Sequence, residues 1–146
     1  MPLLIADRRL GAVAAVHAGW RGTAGGIAGA AVSHLKSVYG SRAGDLMAAL
    51  GPSIGPCCYS VGEELVGAFE RNGHGASVER WFLRGPGVRL DLWRANREQL
   101  EAGGIPATAV FVSGLCTACH PEWFYSYRRE GRAAGRLVGF IRTVGG

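Results

Sequence analysis

The chain has 146 residues, a formal net charge of +5, 48% hydrophobic residues and 18% charged ones. These totals fit one globular domain and exclude a disordered chain. No apolar run is long enough to span a bilayer, and Asp7, Arg8 and Arg9 cut short the opening apolar stretch before a signal-peptide core forms.

A cytoplasmic protein with reduced thiols is therefore expected. The excess of basic residues suits either nucleic acid or an anionic small substrate. No helix-turn-helix and no aromatic–basic platform is present, so nucleic acid is the disfavoured partner. Glycine is the outlier, with 24 residues, about twice the usual share.

Leu3–Ala6 and Ala12–His17 are apolar runs of strand length, with Asp7–Gly11 between them as a hairpin loop. The first strand starts at Met1 without a lead-in, which points to a domain incomplete at its N-terminus. A glycine-punctuated turn, His17-Ala18-Gly19-Trp20-Arg21-Gly22, leads into a helix predicted from about Thr23 to Tyr39 and stopped at Gly40. Gly22, Gly25, Gly26 and Gly29 share a face of that helix, which predicts a close backbone approach to a sheet or a ligand.

Leu46–Leu50 is the third strand. Ser60 and Glu63 form a capping-box pattern for a helix to about Asn72. Trp81–Leu83 and Val88–Leu90 are weaker strand candidates. Asp91 caps a helix through about Ala102, closed by Gly103, and Ala107–Val112 is a strand. Phe124–Tyr127 and Arg136–Ile141 are predicted to pair as a last hairpin around Glu130-Gly131. The alternation of elements and the hairpins together predict a single α/β (α+β) domain over residues 1–146, with mixed sheets flanked by helices in a layered sandwich.

His17 ends a strand just before a glycine turn and a helix start, where free backbone N–H groups favour anions. Arg21 adds a planar cation suited to phosphate. The turn is either a phosphate site with an imidazole at its edge or an ordinary hydrogen-bonded turn. Gly51–Tyr59 is a rigid loop with adjacent thiols at Cys57 and Cys58, read as packed and inert. Cys116-Thr117-Ala118-Cys119-His120 matches a haem-attachment spacing, but that chemistry needs export. A zinc site from Cys57, Cys58, Cys116 and Cys119 is conceivable, although adjacent cysteines on an extended chain point apart and suit one tetrahedral ion badly. His34 and His74 are expected in solvent. In Phe124–Arg129 the aromatics offer stacking faces and the arginines offer pairing to phosphate, against the alternative of a plain edge hairpin.

Three segments taken together resemble one family: His17–Gly22; Gly51–Tyr59 with Val61-Gly62; and Phe124–Arg129 with Gly135-Arg136. It is the multicopper polyphenol oxidase or laccase-domain family, understood as zinc-dependent purine nucleoside phosphorylases with adenosine deaminase and methylthioadenosine phosphorylase activities. The resemblance covers essentially the whole chain, as its C-terminal two-thirds of the family domain. It implies a zinc ion held by two histidines and a cysteine, with His17 as one ligand. The other two ligands fall in family segments upstream of Met1. Where the family has Thr-Gly-Arg, this chain has Ala134-Gly135-Arg136.

The implied roles are His17 and Arg21 in catalysis, and Tyr127, Arg128 and Arg129 at the substrate. The implied partners are a purine nucleoside and inorganic phosphate, with no membrane and no nucleic acid, in a chain that can form a homo-oligomer. Zinc is the implied cofactor. Copper oxidase chemistry fits less well, because four histidines are too few for a multicopper cluster.

Overall fold

The computed structural model describes residues 1–143. A four-stranded sheet runs in the order β2-β1-β3-β7, built from β1 (Pro2–Asp7), β2 (Val13–His17), β3 (Leu46–Leu50) and β7 (Val110–Val112). β1 is antiparallel to both β2 and β3, whereas β3 and β7 are parallel. A second, antiparallel sheet joins β4 (Ser60–Val61), β6 (Val88–Leu90) and β5 (Phe82–Arg84) in that order.

The helices are α1 (Trp20–Ala24), α2 (Ile27–Tyr39), α3 (Glu63–Phe69), α4 (Gly75–Trp81), α5 (Leu92–Ala102) and α6 (Tyr127–Glu130). The mixed α/β class expected from the sequence is the class observed. Among the described residues no helix is long and apolar enough to cross a membrane.

Alternation decides what β1 does. Leu3 and Ile5 are fully buried and pack with Val32 and Leu35 of α2, Leu100 of α5, and Ala48 and Leu50 of β3. Pro2 and Leu4 face the other way and line an open cleft. Asp7 closes the hairpin to β2: its Oδ1 accepts the backbone N–H groups of Arg9 and Leu10, each at 2.8 Å. Gly11 takes φ 71° there, a conformation that favours glycine.

A second apolar cluster lies between the small sheet and α3–α5. Phe69 packs edge-on against Trp81 and Phe82 at ring-centroid distances of 6.0 and 5.2 Å. α5 borders both clusters, and its polar side chains bridge to α1. Asn96 Nδ2 donates to Thr23 Oγ1 at 2.8 Å, and Gln99 Nε2 donates to the Thr23 carbonyl at 2.8 Å.

Several elements differ from the sequence expectation. The helix predicted from Thr23 to Tyr39 is two helices, because Gly26 adopts φ 74° between them. Nothing lies within 4 Å of a Cβ built at Gly26 or Gly29, whereas one at Gly22 would lie 3.3 Å from Ile27 Cγ2 and 3.4 Å from the His17 carbonyl oxygen, so the expected close approach is made at Gly22 and the bend at Gly26. The Ser60 capping box does not form: Ser60 pairs with Arg89 in the small sheet, and Gly62 precedes α3 instead. Beyond α3 the chain winds through Glu70–His74 into α4, so Trp81 ends a helix and does not begin a strand.

His74 is half-buried, not solvated, with its Nε2 3.0 Å from the Ala24 carbonyl and its ring against Trp81. The strand read at Ala107–Val112 is narrowed to Val110–Val112, because residues 107–109 form a 3-10 turn. The last hairpin is absent among the described residues. Tyr127–Glu130 is helical, and no strand is found at residues 136–141. The Cβ of a residue replacing Gly139 would lie 3.0 Å from Pro2 Cβ, so this tail runs over the cleft side of β1.

Candidate active site and thiol cluster

The C-terminal end of β2, the α1 turn, the loop after β3 and the segment around α6 enclose a cleft of about 980 Å³. His17, Arg21, Tyr127 and Arg128 all line it, together with Arg136 and Tyr59. The cleft therefore carries three guanidinium groups, one imidazole and several aromatic faces.

Each wall has a local cause. Ala18, fully buried beside the sheet core, anchors the turn after His17. Gly19 leaves room for the imidazole next to it: a Cβ there would sit 3.2 Å from His17 Nε2. The Arg21 guanidinium lies over the Trp20 ring at 4.4 Å, and that of Arg128 lies over Tyr59 at 5.0 Å. Arg128 also donates to the Ser60 carbonyl at 2.8 Å, which fixes its direction. Burial raises the Tyr59 phenol above its usual range, against the opposing charges of Arg128 and Arg21. The positive charge at Met1 and then partial burial lower the His17 imidazole below its usual range.

Arg129 stands apart from the other four predicted residues. It does not line the cleft; its guanidinium donates to the carbonyls of Thr117 at 2.9 Å, Ala118 at 3.2 Å and Phe124 at 2.8 Å, and it pairs with Glu130. Arg136 was not singled out for the site in the sequence, although its motif was. Tyr125 likewise lines the cleft. It is held there by Gly135, where a Cβ would come within 2.6 Å of the ring.

The donor set of the cleft does not complete a metal site. His17 is the only histidine, cysteine or carboxylate among the lining residues. The two-histidine, one-cysteine zinc set therefore does not fit the described residues of the cleft.

The thiols lie elsewhere. Cys57, Cys58, Cys116 and Cys119 bring their sulfur atoms within 4.8 Å of one another. Cys57 is exposed and Cys58 half-buried, so the pair is not packed away as the sequence suggests. The objection that adjacent cysteines point apart holds for extended chain. Here the segment turns, with the N–H groups of Cys58 and Tyr59 both reaching the Gly55 carbonyl at 3.0 Å, and both sulfurs approach Cys119.

Comparison with known proteins agrees with this architecture. Residues 1–144 match the family model described as multi-copper polyphenol oxidoreductase laccase. The chain is similar to the purine nucleoside phosphorylase YlmD of Geobacillus stearothermophilus, with 40% identity over 97% of this chain and 52% of that protein. It is also 38% identical to the adenosine deaminase RL5 of an unknown prokaryotic organism, over 93% of this chain and 52% of that protein. Its fold matches the crystal structure of the Bacillus licheniformis hypothetical protein YfiH with a TM-score of 0.81 and 38% identity, over 88% of this chain and 48% of that one.

A mixed α/β fold with a basic, aromatic cleft at the strand ends thus goes with a group of proteins whose curated members bear the names of purine nucleoside enzymes. The chain belongs to the multi-copper polyphenol oxidoreductase laccase family. It spans about half the length of these two curated relatives.

Proposed function

We propose that the chain forms the phosphate- and nucleoside-gathering part of a purine nucleoside phosphorylase, acting on adenosine, inosine or methylthioadenosine. The observation that carries this reading is the convergence of Arg21, Arg128 and Arg136 with His17 on one cleft beside exposed aromatic faces. Phosphorolysis forms a bond from a phosphate oxygen to the sugar C1′ and breaks the C1′–N bond to the purine. The purine leaves with the electron pair and takes up a proton.

Phosphate must be held against C1′, and charge must be stabilised as the sugar becomes cation-like. Guanidinium groups fixed over aromatic rings suit the dianion, because their planar forks bind two oxygens at once. Trp20, Tyr125 and Tyr127 offer faces for a purine. The His17 imidazole can accept or relay a proton at an edge of the cleft. Deamination of adenosine, the activity that one relative's name carries, is a second reaction of the same pocket within this proposal.

The test is phosphate-dependent release of adenine or hypoxanthine, with ammonia release measured alongside. Arg128→Ala is expected to raise the KM for phosphate about tenfold, the loss of about 1.4 kcal/mol of charge-assisted binding. Phosphate-independent release, or a phosphate KM insensitive to both Arg21→Ala and Arg128→Ala, overturns the proposal. A second reading is a non-catalytic chain that keeps the fold and the cleft. It is favoured by the solitary position of His17 among metal-binding side-chain types in the cleft. It predicts binding of phosphate without turnover.

A further inference from the structure

We propose that Cys57, Cys58, Cys116 and Cys119 form a tetrathiolate site for a single zinc ion, separate from the cleft, that staples the loop after β3 to the loop after β7. The spacing is the first support. A tetrahedral zinc ion with Zn–S bonds of about 2.3 Å requires sulfurs about 3.8 Å apart. Here Cys57 and Cys119 are separated by 3.6 Å and Cys58 and Cys119 by 3.4 Å, and all four sulfurs fall within 4.8 Å of each other. Four sulfurs gathered this tightly enclose one ion and leave no room for the inorganic sulfide of an iron–sulfur cluster. The contacts are also longer than a disulfide bond of about 2.05 Å.

Packing does not explain the arrangement. Cys57 and Cys119 are exposed, so apolar burial is not what gathers them. The backbone is arranged around the sulfurs instead. Cys116 and Cys119 have the two-residue spacing of a zinc knuckle, and the Cys119 N–H closes that turn on the Cys116 carbonyl at 3.1 Å. The Gly55 N–H points at Cys116 Sγ from 3.2 Å, a donor that a thiolate accepts better than a thiol.

Ionisation follows the same pattern. Burial raises Cys116, but N–H groups of Gly55, Cys119 and Ala118 overcome it and bring it to about 6. Burial and the neighbouring thiols push Cys57 up to about 12.

The ion would also link cleft walls that lie far apart in sequence. Ser53 and Cys116 already share a parallel bridge, and Ser53 and Thr117, next to the thiols, line the cleft. Arg129 ties the carbonyls of Thr117 and Ala118 to the segment that carries Tyr127 and Arg128. This gives Arg129 a positioning role through the knuckle.

The experiment loads the purified chain with cobalt(II) and, in parallel, counts zinc by mass spectrometry after purification without chelators. Wild type and His17→Ala are both expected to show the intense visible and thiolate charge-transfer bands of a tetrathiolate cobalt site. Cys57→Ala/Cys119→Ala, which removes only exposed sulfurs, is expected to lose those bands and one equivalent of zinc while keeping its circular dichroism. Cys116→Ser serves as an independent second variant with the same expected loss.

Equal zinc in wild type and in a folded Cys57→Ala/Cys119→Ala chain overturns the proposal. So does a wild-type chain with four freely titrating thiols at saturating zinc. A Cys58–Cys119 disulfide in the chain purified anaerobically without chelators also overturns it. A red iron–tetrathiolate chromophore in place of zinc removes the assignment of the metal. None of these readouts depends on turnover, so they stand or fall apart from the phosphorylase reading.

Discussion

His17 and Arg21 stand on a wall backed by the sheet core, where Leu3, Ile5 and Ala18 are fully buried and α2 covers the face. Tyr125, Tyr127 and Arg128 stand on a second wall, where residues 123–143 form no strand. That wall is held by Arg129 on backbone carbonyls, by Trp93 Nε1 donating to Ser53 Oγ at 2.7 Å, and by the sulfur cluster. Apolar burial is additive and tolerant of detail, whereas polar junctions depend on each partner being in place. Damage to the first wall should therefore appear as lost stability, and damage to the second as lost positioning.

The largest effect tests the first wall. Ile5→Ala empties a fully buried site between β1 and α2 and should cost about 2–5 kcal/mol, read from urea unfolding. A loss under about 1 kcal/mol would mean that the sheet core is not what carries this wall.

Gly55→Ala probes the second wall. Its new Cβ would meet Trp93 Cη2 at 2.6 Å, while the Gly55 N–H is already committed to Cys116 Sγ. Overpacking of this kind costs about 1–3 kcal/mol. The same substitution should also weaken phosphate binding, because Ser53 and Ile54 of this loop line the cleft. Unchanged phosphate binding in a destabilised chain would break the link between loop and cleft.

The smallest effect concerns α4 and α5. Burial alone would raise Glu98, but hydrogen bonds from Arg80, Arg94 and Trp81 hold it down at about 2. A depressed carboxylate contributes stability that is fully present above its unfolded value near 4.5 and is lost as pH falls toward about 2. Glu98→Gln should flatten the fall in urea midpoint over that window. An unchanged slope would assign acid sensitivity to other carboxylates.

The first wall was the more legible in the sequence, for the same physical reason. β1, β2 and β3 announce themselves by apolar runs, and α5 by the Asp91 cap, its apolar period and Gly103. The Asp91 side chain does accept the Arg94 N–H at 2.9 Å. Regular burial repeats along the chain, so it can be read locally. The second wall is set by contacts across the fold.

Glu130-Gly131 looked like a hairpin turn, yet the Glu130 carboxylate accepts the Ser126 N–H at 3.2 Å and the segment closes into α6. The cysteine pair was misread because the Gly55–Tyr59 turn, which aims both sulfurs the same way, depends on Trp93 and Cys116 packed against Gly55. The motif around Arg128 and Arg129 did not reveal that one guanidinium enters the cleft and the other braces the knuckle.

The central claim is that both walls converge on one anionic co-substrate. Nitrogen-15 spectra of the histidine side chains, recorded while inorganic phosphate and then adenosine are added, test it most directly. The account predicts that the His17 imidazole shifts with phosphate in wild type, that this shift is lost in Arg128→Ala, and that His34 on the outer face of α2 does not move. A His17 signal indifferent to saturating phosphate, in a chain whose other imidazoles report an intact fold, would contradict it.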